Sequence, residues 1–119
     1  MVYHKRILSF KYALDGIGIA FKEEPNFKLH ILIALAVILL SYLLKITRIE
    51  WMIVITLIGF VLSLELANKA IEEIIDSFTE EEHPKAKLAK DVSAGFVLVA
   101  AITSAAAGII IFIPYIWTI

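Results

Sequence analysis

No cysteine occurs among the 119 residues. That excludes disulfides, thiol catalysis and cysteine-based metal sites, and leaves the redox compartment open. An excess of one charge is missing too. Eleven Lys and Arg stand against twelve Asp and Glu, a net charge of −1, so no basic field argues for a nucleic-acid partner. Glycine is scarce, at five residues. Gly16-Ile17-Gly18 is followed by Phe21 where a third glycine would be needed, and no G-x-x-x-x-G-K-[ST] occurs, so the familiar nucleotide loops are absent. His4, His30 and His83 form no H-E-x-x-H. No removable signal peptide is evident, because Lys11, Asp15, Lys22, Glu23 and Glu24 break up any apolar run behind Lys5 and Arg6.

What the chain has instead is apolar bulk. Hydrophobic residues make up 61% and the mean hydropathy is +0.88, too high for a soluble domain of this size. Three apolar stretches stand out. Leu29 to Leu44 extends to Thr47 with only Lys45 as a charge, which can snorkel. Trp51 to Leu64 continues through Ala67. Val92 to Ile119 carries no charge. All three meet or approach the length of about 20 residues that a span needs. Polar and apolar residues do not alternate, which excludes barrel strands. In the first 22 residues, Ile7, Phe10, Leu14, Ile17 and Phe21 form an apolar stripe beside Lys11, Asp15, Gly18 and Lys22. This predicts an amphipathic helix lying in the interface; the bland reading is a helix packed on the rest of the protein. The expected fold is therefore an all-α membrane protein of one domain over 1–119, with an interfacial helix at 1–25 and transmembrane helices at 29–47, 50–75 and 91–117.

Basic residues set the expected topology. Lys5, Arg6, Lys11, Lys22 and Lys28 lie in the N-terminal segment, and Lys69, Lys85, Lys87 and Lys90 around the second loop; the first loop has only Lys45 and Arg48. Positive-inside counting puts the N-terminus and second loop in the cytoplasm, with the first loop and C-terminus outside. Trp51, Tyr115 and Trp117 then mark the outer interface.

Glu65, Asn68, Glu72 and Asp76 form one polar stripe on the second span, their offsets falling within roughly 60° to one side or the other of Glu65. Counting about 1.5 Å per residue from Trp51, Glu65 lies roughly 21 Å deep and Glu72 roughly 31 Å. Against a hydrocarbon core of about 30 Å, Glu65 sits within the inner leaflet and Glu72 at the cytoplasmic boundary. A channel or proton carrier would more naturally place its carboxylate near the midplane. An enzyme joining a lipid head group to a water-soluble reagent needs a site at this depth.

Two further polar clusters belong to the same membrane face. One is Glu23-Glu24-Pro25-Asn26-Phe27-Lys28-Leu29-His30, where Pro25 disfavours helix at Glu24. The other runs from Glu80 to Asp91. Carboxylates at Glu24 and Glu72 are suited to Mg²⁺, which often uses one or two carboxylates plus phosphate oxygens. Lys90 is placed to meet phosphate, and phosphoryl transfer needs little beyond a metal, a positive clamp and a base near the acceptor hydroxyl. Several residues also have plain readings. Glu65 can pair with Lys69 at i+4, Glu73 and Glu80 read as solvated charges, His4 and His30 as interfacial groups, and Thr79-Glu80-Glu81-Glu82 fits a capping box.

At these residues the chain resembles the small prokaryotic lipid kinases, the family of diacylglycerol kinase and undecaprenol kinase. The matching pieces are Phe10-Lys-Tyr-Ala13, Gly16-Ile17, Phe21-Lys-Glu-Glu24, Asn26-Phe-Lys28 with His30, Glu50-Trp51, Glu65-x-x-Asn68-x-Ala-Ile-Glu72, Asp76, His83-Pro84, Ala86-Lys87 and Ala89-Lys90-Asp91. They cover nearly the whole chain in order. The resemblance implies a homotrimer in the cytoplasmic membrane, active on its cytoplasmic side, that phosphorylates a lipid alcohol with Mg²⁺ and ATP. It implies Glu65 as general base, Asn68 in the same catalytic cluster, and Glu24 and Glu72 as metal ligands. It also implies Lys90 and Asp91 at the nucleotide phosphates, with Tyr12, Glu81, Glu82 and His83 in the nucleotide pocket; Lys5 is a weaker match near ATP. One position departs: the family usually has Thr or Ser where this chain has Lys69, which can pair with Glu65 or Glu73 or contact phosphate. The Glu23–His30 segment looks more like the undecaprenol kinase branch than the diacylglycerol kinase branch. Functions of other classes are a small carboxylate-based transporter, which three spans fit awkwardly, and a non-catalytic membrane adaptor, which leaves Glu24, Glu72 and Lys90 without a task.

Overall fold

The computed structural model describes residues 2–79 and 83–118, with side chains from Arg6 onward. Four helices follow one another: α1 Val2–Glu23, α2 Pro25–Leu44, α3 Arg48–Phe78 and α4 Pro84–Trp117. The last three are long and apolar enough to cross a membrane, and the chain is an integral membrane protein.

Local chemistry sets each boundary. Pro25 clashes with a helical residue before it, and Glu24 is accordingly extended, at φ −106° and ψ 106°. Pro25 then opens α2 at a position where its missing N–H costs nothing. The interruption is one residue long, because Glu24 N–H still donates to Ala20 O at 2.9 Å and Lys28 N–H to Glu24 O at 3.2 Å. At the other end of α2, Lys45 takes the left-handed conformation at φ 54°, which costs a non-glycine residue roughly 1–2 kcal/mol. Ile46 N–H closes the turn onto Ser41 O, and the Ile46 side chain is buried. α3 begins with a capping box: Glu50 N–H donates to Thr47 Oγ1, and Thr47 N–H to Glu50 Oε1.

The sequence-predicted capping box at Thr79 does not start α4. Thr79 closes α3 with its N–H on Ile75 O. α4 is capped by His83, whose Nδ1 accepts from Lys85 N–H at 3.1 Å. A histidine directly before Pro84 takes the role that the Thr-x-x-Glu pattern suggested.

α3 and α4 are antiparallel and make the most extensive pair. They are fastened at both ends. At the outer end the Tyr115 hydroxyl donates to Glu50, over a buried cluster of Ile46, Val54, Ile111 and Phe112. At the inner end Lys90 Nζ lies 2.6 Å from Asp76 Oδ1, and Ser93 Oγ 2.6 Å from Asn68 Oδ1. With 31 and 34 residues, α3 and α4 are each about 45–50 Å long. That exceeds the roughly 30 Å hydrocarbon core, so about three turns of α3 and about four of α4 reach past it. Trp51 and Trp117 stand near the end that Glu50 and Tyr115 fasten, so the excess lies at the end of Asp76 and Lys90, the inner one by the positive-inside expectation.

α1 lies off the bundle. Ala20 is its one buried residue among those with described side chains, and Ile7, Phe10, Leu14, Ile17 and Phe21 are all exposed. The apolar stripe is thus not covered by the rest of the chain, which is the condition for a helix lying in a lipid interface.

Candidate functional site

The inner end of the bundle gathers the predicted polar residues from three helices. Glu65 is the buried one, with 5% of its surface exposed. Its Oε1 lies 3.3 Å from Nε2 of His30, one turn into α2. Glu24, capping α2, and Glu72, two turns further along α3, both act on Glu65 as like charges. Three carboxylates of α2 and α3 therefore share one electrostatic neighbourhood, graded from Glu65 under protein cover to half-buried Glu24 and Glu72.

Lys69 ties this region together. Its Nζ is 3.1 Å from Glu23, 3.3 Å from Glu24 and 2.7 Å from Glu73. One ammonium thus joins the last residue of α1 and the cap of α2 to α3. The anticipated pair with Glu73 forms, while the ties to Glu23 and Glu24 were not foreseen. An i+4 pair with Glu65 does not form, because Glu65 turns to His30.

Asn68 faces α4, where it accepts from Ser93, whose surface is 1% exposed and whose Oγ also lies 2.9 Å from Lys90 O. Asp76 pairs with Lys90, and Lys87 with Asp91 at 2.6 Å. His83 is exposed and serves as the α4 cap. Tyr12 stands exposed on α1, roughly 16 Å of helix before Glu23; among the described residues no hydrogen bond or ion pair joins it to the cluster. Glu81 and Glu82 lie outside the described residues, as do the side chains of Lys5 and His4.

His30 and Ser93 are two further contacts that sequence reasoning missed. His30 read as interfacial because a lone histidine near a span end usually is. Its only signal was its place in the Asn26-Phe-Lys28 segment. Ser93 lies three residues after Lys90, hence on the same helix face, but a serine in an apolar run carries no mark of its own.

On the lipid side of Glu65 an apolar groove of about 530 Å³ begins at His30. It runs past Ala34, Val61 and Gly108 to Ile116 near the outer end. His30, the partner of the buried Glu65 carboxylate, thus stands at one end of a hydrocarbon-lined slot, and a group of carboxylates and lysines lies beyond it. The arrangement can hold an apolar molecule by its tail, accept a proton from a hydroxyl at its head, and meet a charged reagent from water.

The metal test turns on the donor set. Glu24 and Glu72 offer hard oxygen ligands only. Among the described residues no group of three or more His, Cys, Asp or Glu is close enough to form a cage. Few carboxylates with room for phosphate oxygens is what Mg²⁺ accepts, whereas zinc sites use nitrogen and sulfur.

Comparison with known proteins gives one consistent answer. Residues 11–112 match the family model described as prokaryotic diacylglycerol kinase. The chain is 45% identical over 106 residues to an undecaprenol kinase of Bacillus subtilis (strain 168), covering 89% of this chain and 86% of that one. It is 36% identical over 109 residues to a diacylglycerol kinase of Synechocystis sp., covering 91% of this chain and 62% of that one. A diacylglycerol kinase of Haemophilus influenzae is 36% identical over 94 residues, covering 79% and 80%.

Proposed function

The chain belongs to the prokaryotic diacylglycerol kinase family and is a membrane lipid kinase with ATP as co-substrate, and we propose that the alcohol it phosphorylates is undecaprenol, giving undecaprenyl phosphate. The observation that carries the reading is the buried Glu65 carboxylate, paired with the His30 that lines one end of the apolar groove. The similarity to an undecaprenol kinase favours this lipid over diacylglycerol.

Glu65 takes the proton of the lipid hydroxyl. The hydroxyl oxygen attacks the γ-phosphorus of ATP, the bond from that phosphorus to the β-bridging oxygen breaks, and ADP leaves. His30 fixes the direction in which the Glu65 carboxylate points. Asn68, held by Ser93, keeps α3 and α4 in register beside the reacting groups. Glu24 and Glu72 are the residues that would hold Mg²⁺, which neutralises phosphate charge when bound. Lys90 and Asp91 serve the nucleotide phosphates, and Lys90 exchanges part of its hold on Asp76 for them. Tyr12, Glu81, Glu82 and His83 complete the nucleotide pocket. The active unit is a homotrimer in the cytoplasmic membrane, with these groups on the cytoplasmic side. The lysines around the α3–α4 connection support that orientation. The transporter reading loses ground because no carboxylate among the described residues lines the groove, and Glu65 lies behind His30 at one end of it.

The lipid assignment is tested with purified protein in nanodiscs, γ-labelled ATP, and undecaprenol, diacylglycerol or ceramide. Undecaprenol is expected to be phosphorylated with a kcat/KM about tenfold or more above the others, a difference that pocket contacts readily supply. A preference for diacylglycerol would move the assignment to the other branch.

A further inference from the structure

Lys69 carries more than the lipid kinase reading uses. Its side chain is 18% exposed, and its ammonium lies within 3.3 Å of three carboxylates, Glu23, Glu24 and Glu73. One of them, Glu24, is a residue proposed to hold the metal ion, so the cation already sits on that ligand. Two effects of Lys69 then compete. As a tether it joins the α1–α2 junction to α3, which would help Glu24 reach the site. As a charge it repels any second cation that Glu24 takes up. The backbone decides between them. Glu24 is fixed without Lys69, by its N–H on Ala20 O and its O accepting from Lys28 N–H, with Ala20 and Phe27 each 3% exposed. The repulsion, by contrast, acts between a divalent ion and a unit charge 3.3 Å from one of that ion's ligands, far inside the distance at which salt screens charges.

We propose that Lys69 is a built-in counter-cation for Glu24. It neutralises the inner-boundary carboxylates in the ion-free protein and weakens their hold on a free divalent cation, so that the ion is taken up with the nucleotide phosphates and not ahead of them. The inference rests on the reading of Glu24 as a metal ligand. It makes Lys69 a positioning residue that sets the order of assembly through Glu24.

The test is a titration of the nucleotide-free protein in nanodiscs with Mn²⁺ alone, followed by electron paramagnetic resonance. Wild type is expected to bind weakly, and Lys69→Met at least tenfold more tightly. Lys69→Gln, which keeps a polar group, should repeat the gain, and Lys69→Arg should restore the wild-type value. In Glu24→Gln/Lys69→Met the gain should vanish. Unchanged or weaker binding in both neutral variants overturns the proposal, as does a gain that survives Glu24→Gln. Failure of the lipid kinase reading looks different: wild type would transfer no phosphate although the Lys69→Met gain is present.

Discussion

Replacing Glu65 with Gln is expected to lower phosphate transfer to the lipid by about 10²–10⁴-fold, the usual contribution of a positioned general base. The loss should fall on kcat, with the lipid KM little changed, because the groove that holds the tail is untouched. Folding should not suffer. Gln has the same shape and can still pair with His30, which lies 3.3 Å from the present carboxylate. It also removes a charge whose burial costs up to about 2.5–3.5 kcal/mol at mid-bilayer, so thermal stability should hold or rise. A purely structural Glu65 would behave in the opposite way, losing stability and keeping turnover in whatever protein remains folded. Single-turnover kinetics beside a melting curve separates the two. Transfer at the wild-type rate in the Gln variant would remove Glu65 from the chemistry.

Glu72→Gln is expected to raise the Mg²⁺ concentration needed for half-maximal activity by about 10–100-fold or more, since even residues that only support a ligand contribute that much. Glu72 is half-buried on α3 and acts electrostatically on Glu65. Its neutralisation therefore touches the charge balance of the site without opening a cavity. The lipid KM should stay constant while the metal requirement moves, which is the pattern of a residue on the aqueous side of Glu65. An unchanged metal requirement with a raised lipid KM would place Glu72 on the lipid path instead.

The apolar runs alone predicted three spans, and three helices long and apolar enough to span are found. The expected limits stopped short at the polar ends, because hydropathy marks what lies in lipid and says nothing of how far a helix continues into water. The first span, expected to reach 47, instead ends at Leu44, where Lys45 turns left-handed. The inner turns of α3 and α4 are therefore invisible to a hydropathy argument, although Asp76, Lys90 and Asn68 fasten those turns together. The break at Glu24 was legible from Pro25, whose steric effect is local. The Thr79 box was misread for the converse reason: a capping pattern is only a local option, and His83-Pro84 supplied a competing one. Within the site, the stripe on α3 was legible because one helix fixes the spacing of its own residues. The partners His30, Ser93 and Glu23 were not, since each comes from another helix and the pairing depends on how the helices dock. Lys69 illustrates both cases: its i+4 contact to Glu73 follows from helical spacing, and its hold on the α1–α2 junction does not.

The central claim is that the γ-phosphate of ATP ends on the hydroxyl of a membrane lipid. It is tested most directly by following purified protein in nanodiscs with Mg²⁺, ATP and undecaprenol, and weighing the products by mass spectrometry. The account predicts one lipid monophosphate for each ADP released. ADP release without a phosphorylated lipid, or lipid exchange without ADP, would contradict it.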